Sequence, residues 1–379
     1  MKSLNQYRGL ILCIWIILLP FWDFGAGLFL GMAFILGCFS KTPVLKLLNL
    51  SLLPWSFFFL AIFGGFWTFS LDLKYLYRLL PFFLIPIAVS GHWRWVRSSL
   101  PIGGLILCLY LLSNSLFSFW ENGDLSLIFY RELTGSLHQH IYLISYLSLG
   151  VVSIYEIRLR RIFQIIFFSI VLTTISLLGS KIGLFALLSA GIFYLKNIVS
   201  NFHRIHLVFL FFILGIFSLS QKFSDGRSLG HVFRPISAYW ATGSVDTRIV
   251  QNTAAINIWG ENFLFGVGQT KIQDELMIEY QNENYRFGLK RKSNVHNQIL
   301  QYAATYGLLG LIWISLGFFL SYRINFLHFD SLQKRKAIVC IIFFGCLFIT
   351  ESFLERSLGI SSAVLGWMWV ACMDQDFIS

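Results

Sequence analysis

Residues 244–311 read SVDTRIVQNTAAINIWGENFLFGVGQTKIQDELMIEYQNENYRFGLKRKSNVHNQILQYAATYGLLGL. They contain the longest polar interval in an otherwise lipid-soluble sequence, and the interval closes on Asn294-Val295-His296-Asn297 at the mouth of a new apolar run. Everything before the interval reads as hydrophobic spans, and further spans follow it. A membrane protein that carries Arg248 and His296 in one long loop, on one membrane face, is expected to do its chemistry there.

Composition sets the class. Of 379 residues, 56% are hydrophobic, 18% aromatic and only 12% charged, which is about half the charge of an ordinary soluble domain. Repeated apolar runs long enough to cross a roughly 30 Å hydrocarbon layer predict an all-α polytopic membrane protein. One bundle is expected over residues 1–379, with no separable domain. Lys2 and Arg8 precede an apolar run from Leu10, but no small-residue cleavage site follows cleanly, so an uncleaved first helix is expected. The six cysteines all lie in apolar runs at no metal spacing, as buried small hydrophobes do. The net charge of +11 is spread over short loops, so membrane topology explains it and nucleic acid does not.

Twelve spans fit the hydropathy, near 9–22, 24–40, 47–69, 77–91, 99–119, 141–156, 162–179, 182–196, 206–221, 298–321, 337–353 and 359–373. Pro81, Pro86 and Pro101 are expected to kink or start helices. With the N-terminus cytoplasmic, the short inner loops hold fifteen Lys and Arg residues and the short outer loops five: Lys74, Arg78, Arg131, Lys181 and Arg356. This asymmetry places both termini in the cytoplasm and the 222–297 loop outside, in the periplasm of a cell that has one. Within that loop, Asp246 to Trp259 has helical spacing, with Ile249, Thr253, Ile256 and Trp259 on one stripe. Lys271 to Tyr285 repeats Ile272, Leu276 and Tyr280 at four-residue steps, and helices of this kind would lie at the membrane interface.

Several residues at the outer face carry chemical potential. His296, at the lip of a span and followed by Asn297, is placed to take a proton from a sugar hydroxyl; the competing reading is a histidine bonded to a loop carbonyl. Arg248 suits a pyrophosphate, since guanidinium donates two parallel hydrogen bonds, although an arginine reaching toward lipid phosphates has the same pattern. Lys181 lies between two apolar runs, where a cation marks function unless it merely reaches water from a turn. Arg131, His138, His140 and Tyr142 flank the sixth span, and Glu351, Glu355 and Arg356 end the eleventh. Glu351 lies in the apolar register and needs a cation, with Lys181 and Arg356 as candidates. His138 and His140 lack a third ligand at a recognisable spacing, so no metal is expected. The sequence has no phosphate-binding glycine loop, no HExxH, no GxSxG and no Asp-rich metal motif. A lipid-borne phosphate donor is thereby favoured over a metal-bound nucleotide sugar.

Three blocks resemble the O-antigen ligase and Wzy-type polymerase superfamily of bacterial membrane glycosyltransferases. Ser244-Val245-Asp246-Thr247-Arg248 leads through Asn257-Ile258-Trp259 to Asn262-Phe263-Leu264-Phe265-Gly266-Val267-Gly268, with Phe263 where the family usually has proline. Val295-His296-Asn297-Gln298-Ile299-Leu300 runs to Tyr306-Gly307-Leu308-Leu309-Gly310-Leu311. Gly179-Ser180-Lys181-Ile182-Gly183 is similar to a family block that usually holds arginine; lysine keeps the charge and loses the fork.

The resemblance implies a type-C glycosyltransferase-like (GT-C-like) helical bundle in the inner membrane. It implies metal-independent transfer of a glycan from undecaprenyl-pyrophosphate to an acceptor hydroxyl at the periplasmic face, with no cofactor. His296 would be the base, and Lys181 and Arg248 would contact the pyrophosphate. Asn297, Arg131, His140, Glu351 and Arg356 are expected to support substrate binding. With lipid A–core as acceptor the enzyme is a ligase, the leading expectation; with a second lipid-linked glycan it is a polymerase, and a protein hydroxyl as acceptor is the third option. A transporter or flippase is the reading from another class, and charge at the bundle midplane would favour it.

Overall fold

A computed structural model describes residues 2–39, 44–129, 133–135, 137–157, 159–180, 183 and 244–372. Among these residues the regular structure is helical throughout. The α-helices are α1 (Lys2–Leu18), α2 (Asp23–Cys38), α3 (Val44–Trp67), α4 (Leu73–Val89), α5 (Trp93–Asn122), α6 (His140–Glu156) and α7 (Arg161–Leu177), followed by α8 (Ser244–Glu261), α9 (Ile272–Asn282), α10 (Arg286–Arg291), α11 (Gln298–Ile324), α12 (Ser331–Thr350) and α13 (Ser357–Ala371). Ten of the twelve expected spans coincide with a helix; the eighth and ninth, and the loop to residue 243, lie outside the described residues. Two helices, α5 and α11, are both long and apolar enough to cross a membrane by length and composition, and shorter apolar helices accompany them.

Local signals set the ends. Asp72 caps α4 through the Lys74 amide at 2.8 Å, and Asp330 opens α12 with a reciprocal capping box to Gln333, the pattern that satisfies two orphan amides at once. Gly123 closes α5 in the left-handed conformation. The prolines do not break their helices: Pro81 and Pro86 lie inside α4 and Pro101 inside α5, where apolar packing holds the turns that the missing amide weakens.

The main core threads α1–α7 and α11–α13, with Trp15, Leu60, Ile85, Tyr146 and Leu358 fully buried. Ile102, Leu109 and Leu116 on α5 and Ile312, Leu316 and Phe319 on α11 instead face outward and exposed. Each such side chain forgoes roughly 1.5–3 kcal/mol that burial would contribute, so a hydrocarbon solvent suits this surface and water does not.

Buried charge gathers at the two ends of the helices. At one end Arg8 donates to the carbonyls of Ala88 (2.9 Å), Ile87 (2.5 Å) and Ser90 (3.0 Å), closing the C-terminus of α4. At that end also, Glu156 holds Lys336 at 2.6 Å and the Trp369 indole at 2.7 Å, with Arg97 at 3.7 Å. At the opposite end Glu355 pairs with Arg78 at 3.3 Å.

A second, smaller core lies over that opposite end. Val250, Ala254, Ala255 and Ile258 of α8 pack with Ile272, Leu276 and Tyr280 of α9, with Tyr285, and with Val295 and Ala304. The α9 stripe is buried as its spacing predicts. On α8 the expected stripe is the outward one: Ile249 and Ile256 are exposed, while the smaller Ala254 and Ala255 turn inward. Small residues allow α8 to approach its neighbours closely, and hydrophobic periodicity does not register them.

The turn 262–268 locks this layer onto the bundle. Helix α11 breaks at Gly307, whose φ of 66° and ψ of −164° belong to a region essentially reserved for glycine. The freed amides of Leu308 and Leu309 donate to Phe263 (2.8 Å) and Leu264 (3.2 Å), while Val267 and Gly268 donate back to Ala304 and Thr305, both at 2.9 Å. A Cβ on Gly307 would lie 2.3 Å from the Leu264 oxygen, and one on Gly266 2.5 Å from the Thr305 carbonyl. The two glycine motifs are therefore one joint. Gly307→Ala is expected to cost about 2–4 kcal/mol, combining backbone strain with forced undocking of the turn. Gly345→Ala, where an added Cβ meets nothing, is the neutral control. Thermal unfolding of both in detergent checks this, and equal melting temperatures would refute the joint.

Candidate active site

The joint presents α8 and the start of α11 at one mouth of the bundle. Asn297 precedes α11 in extended backbone, and its side chain accepts from the amides of Ile299 (3.0 Å) and Leu300 (3.1 Å). It is an N-cap, and its bonds fix the turn that follows His296. A second strap comes from the connector after α12. Ser352 Oγ donates to the Val295 carbonyl at 2.7 Å, and Gln298 Oε1 accepts from the Leu354 amide at 2.6 Å.

Between these straps sits Glu351. Its Oε2 lies 2.6 Å from His296 Nδ1 and its Oε1 lies 2.8 Å from Arg248 Nη2. The residue is buried, while 35% of the His296 side chain and 25% of the Arg248 side chain remain accessible. Helix α12 ends at Thr350, so Glu351 occupies the connector rather than the expected span to 353. Burial pushes its carboxyl up, but the hydrogen bond from His296, the charges of His296 and Arg248 and the Arg248 hydrogen bond together outweigh burial and hold it below the ordinary glutamate range. The ionised carboxylate can only accept, which assigns the proton on His296 to Nδ1 and leaves Nε2 as the ring's acceptor in the neutral form.

Glu355, four residues on, is pushed the other way. Its burial dominates the opposing effects of Arg78, Tyr75 and Arg356, and its carboxyl sits above the ordinary range. The two acids of one connector are thus shifted in opposite directions by their surroundings.

The remaining expected residues divide plainly. Glu351 meets Arg248 and His296 rather than Arg356 among the described residues, and the other expected partner, Lys181, lies outside them. Arg356 is exposed and hydrogen-bonds the Tyr142 hydroxyl; it lines a cavity with Asp23 and His138. His140 opens α6 at this end. Arg131 and Lys181 lie outside the described residues. Sequence reasoning passed over Asp23 and Arg78, although a lone acid or base at the edge of an apolar run is the same signal that singled out Glu351.

Comparison with known families agrees with the motif geometry. The family described as O-Antigen ligase matches residues 133–315, an interval that holds His140, Arg248, His296, Asn297 and both halves of the glycine joint, and ends before Glu351. No curated protein matches the chain. Residues 133–315 thus match the O-antigen ligase family, in line with the ligase and polymerase superfamily that the three sequence blocks resemble.

Proposed function

We propose that the chain is a ligase that moves a glycan from undecaprenyl-pyrophosphate onto an acceptor hydroxyl of lipid A–core at the periplasmic face of the inner membrane. The observation that carries this reading is the Arg248–Glu351–His296 cluster, with a base and a cation held by one buried carboxylate at the helix mouth. His296 Nε2 takes the proton of the acceptor hydroxyl as its oxygen bonds the anomeric carbon. The bond from that carbon to the phosphate oxygen breaks, and its electron pair leaves with undecaprenyl pyrophosphate. Arg248, together with Lys181, balances the charge on the departing pyrophosphate. A single displacement inverts the anomeric carbon, and the two side-chain cations supply the charge compensation without calling on a metal.

In the same reading the chain crosses the membrane twelve times with both termini cytoplasmic, and the 222–297 loop is periplasmic. A transporter would carry charge at mid-depth, whereas among the described residues every ion pair lies at an end of the helices.

Purified protein given an undecaprenyl-pyrophosphate glycan and lipid A–core is expected to yield core-linked glycan, with equal yield in excess EDTA. Product formed only when a second lipid-linked glycan is the acceptor would make the enzyme a polymerase. Transfer abolished by EDTA and restored by a divalent cation would overturn the metal-independent chemistry.

A further inference from the structure

Beside the cluster lies a cavity that the transfer step does not use, at the junction of α1, α2, α6 and α13. Its polar wall is Asp23, His138, Gln139, Tyr142 and Arg356, and Phe21 contributes to an apolar floor. Asp23 is held in place by Ser357 Oγ at 2.6 Å and faces His138 Nε2 at 3.4 Å. Both contacts fall on Oδ1, and more than half of the Asp23 side chain remains exposed. Tyr142 joins the cavity to the cluster: its hydroxyl lies 3.5 Å from the carbonyl of Ser352, the residue after Glu351, and it bonds Arg356.

The chemistry of this wall selects its guest. The Asp23 carboxylate repels a phosphate, and the Arg356 charge is already engaged with Asp23, so the cavity is unsuited to the pyrophosphate. A carboxylate, an amide, a phenol and a guanidinium offer acceptors and donors in turn, matched to vicinal hydroxyl groups. The Phe21 side supplies an apolar surface for the C–H face of a ring, while the rest of the lining is predominantly polar, as a hydroxyl-rich guest requires. We propose that this cavity is the acceptor-sugar subsite, binding a neutral pyranose whose hydroxyl is presented to His296. The assignment of the guest as acceptor rests on His296 being the base; the binding of a pyranose does not.

Saturation-transfer NMR on the purified full chain separates the two. The probes are the methyl glycosides of glucose, galactose, N-acetylglucosamine and mannoheptose, with glycerol phosphate as the anionic probe. Signal from at least one glycoside is expected with the native chain and with His296→Ala. It is expected to fall about tenfold in Asp23→Asn, the loss typical of one charge-assisted hydrogen bond, and to fall also in Gln139→Ala, an exposed position whose side chain does not cap α6. Undiminished signal in both variants, no glycoside signal at all, or preference for glycerol phosphate would overturn the subsite. Binding intact in His296→Ala while that variant still transfers glycan would instead overturn the catalytic reading and leave a sugar site standing.

Discussion

His296→Ala is expected to lower glycan transfer by about 10²–10⁴-fold, the span that a positioned general base contributes, while the protein still folds and inserts. The separation of activity from stability follows from the geometry. The imidazole is partly accessible and makes one side-chain bond, to Glu351 Oε2. Its removal leaves the carboxylate still paired with Arg248 at 2.8 Å, and the Asn297 cap that fixes the following turn is untouched. Cells whose only copy carries the variant are expected to accumulate lipid-linked polymer and to display lipid A–core without it. Cores carrying one repeat would reassign the enzyme as a polymerase. Unchanged surface glycan, with the variant present in the membrane, would remove His296 from the chemistry and return a transporter to consideration.

How much of this arrangement the sequence disclosed depends on the range of the signal. Helices were legible because apolar runs and caps are local, and the buried stripe of Ile272, Leu276 and Tyr280 follows directly from its four-residue step. The inward face of α8 was not legible, since Ala254 and Ala255 are chosen for close approach and carry little hydrophobic signal. Asn297 was visible as the residue before an apolar run, yet the cap pattern and a ligand-binding pattern look alike in one sequence. Gly266 and Gly307 stood in separate motifs, and only the exchanged backbone bonds make them one joint. Glu351 shows the limit most clearly. Its need for a cation was readable from its apolar setting, but its partners lie 103 and 55 residues away in the chain, and no periodicity reaches that far.

Glu351→Gln separates the charge of that residue from its shape. Glutamine fills the same volume, but no arrangement of its amide replaces two acceptor oxygens facing two cationic or proton-bearing partners. Arg248 loses its counter-charge, and the ring proton on His296 is no longer fixed to Nδ1, so Nε2 is no longer held as the acceptor. Glu351 is a positioning residue in this reading, because it acts through His296 and Arg248. Transfer is expected to fall by about 10²–10³-fold, the scale of losing a preorganised electrostatic group. The pH profile of the residual activity should shift as well, which a merely structural role would not produce. Stability should fall by about 3 kcal/mol at neutral pH, the low end for removing one member of a buried pair, since both partners stay partly exposed. The sign with pH is fixed by the direction of the Glu351 shift. A carboxyl held below its ordinary value in the folded state contributes stability that is fully present above that ordinary value, about pH 4.3, and lost as pH falls through the folded one. The native chain should therefore exceed the variant most at neutral pH, and the gap should close in acid. Thermal unfolding of both proteins across that range reads it directly: a gap that stays constant as pH falls would mean that the carboxylate's charge is not what holds the cluster together.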